Sequence, residues 1–450
     1  MKKNGAVLLL VGLLSLPLFA AKSGVPDSAE VRAEIIDSWF TAPLADVRTK
    51  KSEVRKDGMG NAVQISAEEQ GGELVIAVLP EKNGEEGVFQ KGSAGSWLLY
   101  RNAKSGKPVK IRWYFNADAG VYVEFRDGSP KTYADMVIYG SYAARSIPMG
   151  FRFQKLYGYS FEEVKLLTKN SLPWRKVSVE TDQYGPMLKM LERIRSCLPR
   201  IAYVPDACYN EDGKLYSIEY NAPYTSVRDG RNVSAAVERG DIVVSSAGFA
   251  KWVADGLIFK PKATVPSEML SPTVNYSSLG KNGVLTQDTR LSFTLDWCRN
   301  LAVEVLNNHS TKRQFHYTIG YEDMTGVDVR VAPFVANIVD GAIRQSAGYS
   351  IDTGYSPREL EGLLYVLAVT EPRYLYFAAL KQHSADRPGE AAFNNCAVFF
   401  PYFDETGHFE CAVFESGKEL TVEEFLKNHK NVFIHLERVR SSDYFNPRQK

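Results

Sequence analysis

The 450-residue chain carries 54 Lys and Arg against 53 Asp and Glu, a formal net charge of +1. That balance excludes the strongly basic surface on which nucleic-acid binding depends. With 44% hydrophobic and 24% charged residues, and only 34 Gly and 21 Pro, the composition is that of a folded globular chain rather than a fibrous or low-complexity one.

Lys2 and Lys3 precede an apolar run from Ala6 to Ala21 that contains Gly12 and Pro17. A basic start, a short apolar stretch and a small-residue exit have the form of a secretory signal peptide over residues 1–21, cleaved after Ala20 or Ala21. The run is short for a bilayer, and Pro17 would break a long helix. No second long apolar run follows, so the expectation is a periplasmic or secreted protein without a transmembrane segment once the signal is removed. The five cysteines, Cys197, Cys208, Cys298, Cys396 and Cys411, contain no CxxC pair and read as buried small hydrophobes.

Asp27, with Glu30 three residues on, resembles a capping box, and Val31, Ile35 and Trp39 recur at helical spacing up to Phe40. Residues 73–79, 96–101, 109–115, 121–126 and 136–139 are short runs rich in branched and aromatic side chains, separated by turn signals at 102–106, 116–120 and 127–130. This spacing predicts a β-sandwich or barrel, hence a β-rich domain over 22–147. The aromatic runs at 97–100 and 113–115 suit its core, or rings offered to a sugar.

The pattern changes near Pro148. Ser160 with Glu163 opens a helix over 161–168, and Met187, Leu191 and Ile194 line another that stops before Pro199. A hairpin turns at 210–213, and residues 221–241 read as an exposed loop. A brief strand at 242–244 leads to a helix capped by Ser245 or Ser246, running to Asp255 with Gly256 as its stop. Residues 291–306 form an amphipathic helix, and Ser356, Pro357 and Glu359 start the next, over 360–369. A strand at 374–379, a hairpin of 396–402 with 408–414, a helix capped by Thr421 with Glu424, and a strand at 432–439 complete the chain. Consecutive antiparallel strands beside segregated helices indicate an α+β class. The predicted architecture is a β-sandwich-like N-terminal domain followed by an α+β domain over 148–450.

One segment carries chemical meaning. Residues 240–253 form a strand, a tight turn of small residues and a helix. Cysteine peptidases of the papain type place their nucleophile at such a junction, because a helix N-terminus carries about half a positive charge and stabilises a thiolate. A base on a neighbouring strand completes the pair. The segment resembles the nucleophile motif of NlpC-like cell-wall peptidases, Asp-Cys-Ser-Gly-Phe-Val followed by a helix. Aligned on Gly248-Phe249, this chain has Ser245 for the Asp, Ser246 for the Cys and Ala247 for the Ser. The family's His opens a later strand, and the local counterpart, Asn395-Cys396-Ala397-Val398-Phe399-Phe400, has Asn395 in the His position. Pro223-Tyr224 matches the family's Tyr before the nucleophile. The resemblance covers about 221–440 and implies a papain-like domain with an antiparallel sheet. It places Ser246 and Asn395 at the catalytic positions, and Tyr224, Ser245 and Trp252 at binding positions.

Both departures remove chemistry. The Ser246 hydroxyl has a pKa far above that of a thiol, and a helix dipole worth up to about 1 kcal/mol does not ionise it. Asn395 has no proton-accepting nitrogen at neutral pH. The resemblance therefore implies a pseudoenzyme that binds peptidoglycan peptide or another envelope ligand, with no cofactor. Two alternatives stand beside it: a cell-wall hydrolase using Ser246 with a base such as His435, and an envelope structural or adhesion protein acting through its β domain. On a purely structural reading, Ser246 is an N-cap and Gly248 permits close helix packing.

The remaining motifs are weaker. The six histidines form no HExxH pattern, and no metal site is predicted. Asp404 and Glu415 flank a hairpin and suit a glycosidase carboxylate pair. Glu322, Asp323 and Asp328 lack calcium-loop spacing. Cys396 sits within a strand pattern, where a buried thiol is expected. Asn232-Val233-Ser234 fits a glycosylation sequon, and no GxGxxG, GxxxxGK or GxSxG occurs.

Overall fold

The computed structural model describes residues 25–82, 85–224, 233–259, 263–273, 292–310, 326–339, 342–345, 348–351, 353–383 and 391–449. The predicted signal peptide lies outside these residues, as do Asn232, Glu322 and Asp323. No helix among the described residues is long and apolar enough to cross a membrane.

The chain begins with helices α1 (Ala29–Glu34) and α2 (Leu44–Thr49), joined by a π-helical turn at Ile36–Phe40. Eight strands follow: β1 (Glu53–Lys56), β2 (Ala62–Gln70), β3 (Glu73–Pro80), β4 (Trp97–Asn102), β5 (Pro108–Tyr114), β6 (Val121–Gly128), β7 (Lys131–Ile138) and β8 (Ser141–Met149). Each pairs antiparallel with the next, in the order β1 to β8. The sandwich expectation is thereby corrected: these strands make one continuous meander rather than two facing sheets. β1, β2 and β8 were not delimited by the sequence pattern.

Alternation explains why one sheet suffices. On β6, Val121, Val123 and Phe125 are buried while Tyr122, Glu124 and Arg126 face outward. The face that carries Val121, Val123 and Phe125 needs a cover, and helical segments supply it, while Val75, Ala77, Leu79, Leu98, Tyr100 and Tyr114 make a smaller apolar cluster on the opposite face. Phe40 and Tyr157 pack on Trp97, and Phe161, at the start of α3 (Phe161–Thr168), packs on Trp113. Trp174 packs against Phe115. Trp97 and Trp113 are core residues, not rings displayed to a sugar. The capping box expected of Asp27 is not formed. Ser28 is the N-cap of α1, and Asp27 instead accepts the Ala29 and Phe161 N–H groups.

After α3 come α4 (Gly185–Cys197), β9 (Ile201–Tyr203), β10 (Ala207–Tyr209), β11 (Leu215–Ser217), β12 (Ala222–Pro223), α5 (Val233–Glu238), β13 (Ile242–Val244), α6 (Ser246–Leu257), α7 (Pro266–Met269) and α8 (Phe293–His309). α5 lies inside the stretch expected to be loop. Gly256 does not stop α6. It is the second-last residue of the helix, and a Cβ there would lie 2.5 Å from Phe445 of the C-terminal segment.

The chain then adds β14 (Asn337–Val339), β15 (Ala342–Gln345), α9 (Pro357–Thr370), β16 (Tyr374–His383), β17 (Ala391–Phe403), β18 (Phe409–Glu415), β19 (Lys418–Leu420), α10 (Val422–Asn428) and β20 (Phe433–Arg440). The last five strands form an antiparallel sheet in the order β19-β18-β17-β16-β20. The capping boxes predicted at Ser160–Glu163 and Thr421–Glu424 are both formed.

This sheet is buried on both faces. Tyr376, Ala378, Leu380 and Phe399 share one apolar core with Leu363 and Tyr365 of α9 and with Trp113 and Phe115 of the meander. Phe377, Ala379, Val398 and Phe400 face the other way, against α6 and α8. The boundary expected near residue 147 is therefore not a break in packing. Across it the Asn116 amide donates to the Tyr365 hydroxyl at 2.6 Å, and buried Asp118 accepts the Phe409 N–H at 3.1 Å.

Candidate functional site

The site begins at the junction of β13 and α6. β13 pairs in parallel with β9, and Ser245 follows as the N-cap of α6. Its hydroxyl accepts the Gly248 N–H at 3.0 Å and donates to the Ala207 carbonyl at 3.0 Å. Its own N–H donates to the same carbonyl at 2.8 Å. The junction is thus pinned to β10, and Gly248 is what lets it come so close. A Cβ at position 248 would sit 2.0 Å from the Ala207 oxygen. Because the obstacle is backbone, Gly248→Ala is expected to destabilise by about 3 kcal/mol, the upper part of the range for overpacking. A urea unfolding midpoint unchanged from wild type would show that the junction yields.

This geometry sets Ser246 at the first turn of α6. Its hydroxyl lies 3.1 Å from the Ser416 hydroxyl. Ser416 (φ 51°) and Gly417 (φ 75°) form the two-residue turn between β18 and β19, both left-handed as a type I′ hairpin requires. That turn brings β18 to the mouth of α6. On the neighbouring strand β17, the Asn395 amide donates to Glu415 Oε1 at 2.6 Å, and Asn395 Oδ1 accepts the Cys396 N–H at 2.9 Å. Glu415 Oε2 meets His429 Nε2 at 2.9 Å, both side chains about nine-tenths buried. A polar chain Asn395–Glu415–His429 therefore runs behind the wall of the site.

Ser246 and Asn395 line one open cleft of about 920 Å³. Ser245 and Ala247 continue the α6 wall, and Phe293, Thr294 and Asp296 of α8 form another. Asp206, Glu219 and the exposed rings of Tyr203 and Tyr220 line the rest of it. Among the described lining residues there is no histidine, lysine or arginine.

Two predicted binding residues do not line the cleft. The Trp252 indole is buried and donates to the Arg448 carbonyl at 2.7 Å, with its ring edge-on to Phe445. Six residues past Ser246 is about 600° around a helix, which turns Trp252 off the cleft face. Tyr224 packs instead with Val233, Ala236 and Val243. Sequence reasoning missed Tyr203, Tyr220, Ser416 and His429. Only Ser416-Gly417 left a readable signal, as a two-residue hairpin turn.

His435 belongs to a different network. Its Nδ1 lies 2.7 Å from Glu437, and its Nε2 lies 2.9 Å from the Tyr349 hydroxyl and 3.3 Å from Arg299. The Ser246 hydroxyl instead meets Ser416, while the His435 ring is bonded within this separate network. Asp328, His435 and Glu437 hold ligand-type atoms within 4.8 Å of one another. Arg299 and Arg330 both ion-pair with Asp328, so two guanidinium groups already balance its charge. Burial by itself would raise the Asp328 pKa, but Arg299, His435 and Arg330 outweigh it and hold the carboxyl at about 2, below its ordinary 3.8.

A lowered folded-state pKa stabilises above the unfolded value and is lost as the pH falls through the folded one. Asp328 is therefore expected to contribute about 2 kcal/mol above pH 4, fading toward pH 2. Glu437 is shifted the opposite way, well above its ordinary 4.5, chiefly by burial. Its proton is already bound below pH 4, so it leaves that window undisturbed. Urea midpoints of wild type should fall between pH 4 and pH 2 while those of Asp328→Asn stay flatter, and parallel curves would refute the assignment.

Asp404 and Glu415 are not a carboxylate pair. Asp404 Oδ1 accepts the Thr406 and His408 N–H groups of its own turn, at the far end of the strand from Glu415. Seven residues of strand separate them by roughly 20 Å.

Taken together, the described residues define an α+β protein with an open cleft at a strand–helix junction, walled by a serine and an asparagine. A family model described as a domain of unknown function, DUF8515, matches residues 21–176. No curated protein and no solved structure matches the chain. The match takes in the meander, α3 and Trp174, and ends before the first cleft residue, Tyr203.

Proposed function

We propose that this is an exported envelope protein whose cleft binds a peptide of the cell wall without cutting it. The observation that carries this reading is the shared cleft of Ser246 and Asn395. In the resemblance read from the sequence, Ser246 at the helix N-terminus and Asn395 on a neighbouring strand stand where a thiol peptidase of the NlpC type has its Cys and His, and neither carries the reacting atom. The Ser246 hydroxyl has a hydroxyl for a neighbour rather than a base. The Asn395 amide is tied to Glu415, as an imidazole there would be tied by its own N–H. The cleft keeps an apolar wall at Phe293 and exposed rings at Tyr203 and Tyr220, which suit extended peptide contacts.

Purified protein incubated with muropeptides tests the proposal. Binding by calorimetry is expected, with no new products by chromatography, and Ala247→Trp, which fills the cleft, should abolish it. Cleavage that disappears in Ser246→Ala would overturn the non-catalytic reading. Absence of binding would overturn the choice of ligand.

A further inference from the structure

The cleft carries negative charge that its described residues do not balance. Asp206 stands in the turn between β9 and β10, at φ 67°, a left-handed conformation that aspartate tolerates better than most residues. Its carbonyl accepts the Ile218 N–H at 3.0 Å, and its carboxylate accepts the Ser217 hydroxyl and the Glu219 N–H. These bonds set exposed Glu219 beside half-buried Asp206, and both residues line the cleft. A carboxylate accepts about four hydrogen bonds, so both keep free acceptor capacity. Neither forms an ion pair among the described residues, and no described lining residue is cationic. Tyr203 lies three residues before Asp206 and Tyr220 directly follows Glu219; both are exposed and line the same cleft. The α8 wall adds two polar groups of different kinds. Asp296 is bonded by the protein itself, accepting the Thr273 N–H at 2.8 Å, the Thr273 hydroxyl at 2.7 Å and the Ser292 hydroxyl at 2.6 Å. Thr294, only 1% exposed, has a hydroxyl with no hydrogen-bond partner among the described residues. A buried hydroxyl left unpaired is costly, and a ligand in the cleft is the partner that the fold leaves room for.

We infer that the cleft selects peptides carrying a lysine-like primary ammonium side chain, which Asp206 and Glu219 hold while the Thr294 hydroxyl bonds the peptide backbone. An ammonium has three donors and no acceptor, which suits a site of carboxylates. Its charge also favours the faces of tyrosine rings. An acidic ligand would meet like charge at Asp206 and Glu219 and find no described cation in the wall to offset it. The inference rests on the reading that this cleft holds a peptide, and it adds the charge that the peptide bears there.

The test titrates blocked tripeptides, acetylated at one end and amidated at the other, into the purified protein by calorimetry. Their central residue is lysine, norleucine or glutamate; norleucine keeps the lysine stem and lacks the ammonium. The lysine peptide is expected to bind at least about tenfold more tightly than the norleucine one, and the glutamate peptide most weakly. Added salt should narrow the gap, because Glu219 is exposed. Glu219→Gln should remove most of the lysine preference and leave norleucine binding as it was, whereas Thr294→Val should weaken the lysine and norleucine peptides alike. Equal affinity for lysine and norleucine, or a lysine preference that survives both Glu219→Gln and Asp206→Asn, overturns the inference. Muropeptide binding without a lysine preference leaves the envelope-peptide reading standing and this one fallen. A lysine preference without muropeptide binding does the reverse, and no binding of any probe overturns both.

Discussion

Arg32→Ala is expected to lower stability by about 3–5 kcal/mol, the cost of breaking a buried, fully bonded ion pair. Arg32 is completely buried. Its guanidinium donates to the carbonyls of Leu156 at 2.7 Å, Tyr157 at 3.2 Å and Tyr159 at 2.7 Å, and to the Ser28 hydroxyl at 3.1 Å. Asp27 pairs with it at 3.3 Å. The same group lies over the faces of Trp97 and Trp113, 5.1 and 4.7 Å from the ring centroids. Burial lowers its pKa to about 10, so it stays charged at neutral pH. Truncation strands three carbonyls and opens a void between two indoles. Arg32→Lys keeps the charge but not the planar fork, and should recover little. Urea unfolding followed by tryptophan fluorescence measures both variants, and a loss below about 1 kcal/mol, the range of exposed ion pairs, would refute the role.

The second large effect is a gain. Ser246→Cys combined with Asn395→His is expected to create a thiolate at the N-terminus of α6. Glu415, already bonded to position 395, is placed to hold an introduced imidazole. The imidazolium and the helix dipole then favour the ionised sulfur, which lowers a thiol from about 8.5 toward 7 or below. At pH 6 the double variant should react with iodoacetamide at least about tenfold faster than Ser246→Cys alone. Adding Glu415→Gln should take back much of that gain, which a purely structural role for Glu415 would not do. Equal rates for the single and double variants would mean that the two positions share a cleft but do not face each other in it. Peptide cleavage by the double variant would extend the result from ionisation to chemistry.

These two sites differ in how much of them could be read beforehand. The β13–α6 junction was legible because its causes are local. A branched run at 242–244, a serine cap and a glycine three residues later specify strand, turn and helix with little outside help. The same holds for the capping boxes at Ser160 and Thr421 and for the Pro357 helix start, each decided by residues within one turn of each other. Arg32 gave no such signal. It reads as one more charged residue on a short helix, and its three carbonyl partners lie more than a hundred residues away. Trp252 misled for a related reason: an indole near a nucleophile position looks like a ligand platform until the C-terminal segment is seen to cover it.

By itself, then, the amino-acid order determined the α+β class, most helix and strand positions, and the pairing of a helix N-terminus with small residues at 245–248. Those features depend on backbone preference, capping and apolar period, all of which act over a few residues. Tertiary structure alone decided that eight strands form one sheet rather than two, and that Asn395 meets Glu415 in the wall that Ser246 shares. It also decided that the two predicted domains share a core. Each of these depends on which distant surfaces bury against each other, and a side-chain period of two or 3.6 residues says which face is apolar but not what will cover it.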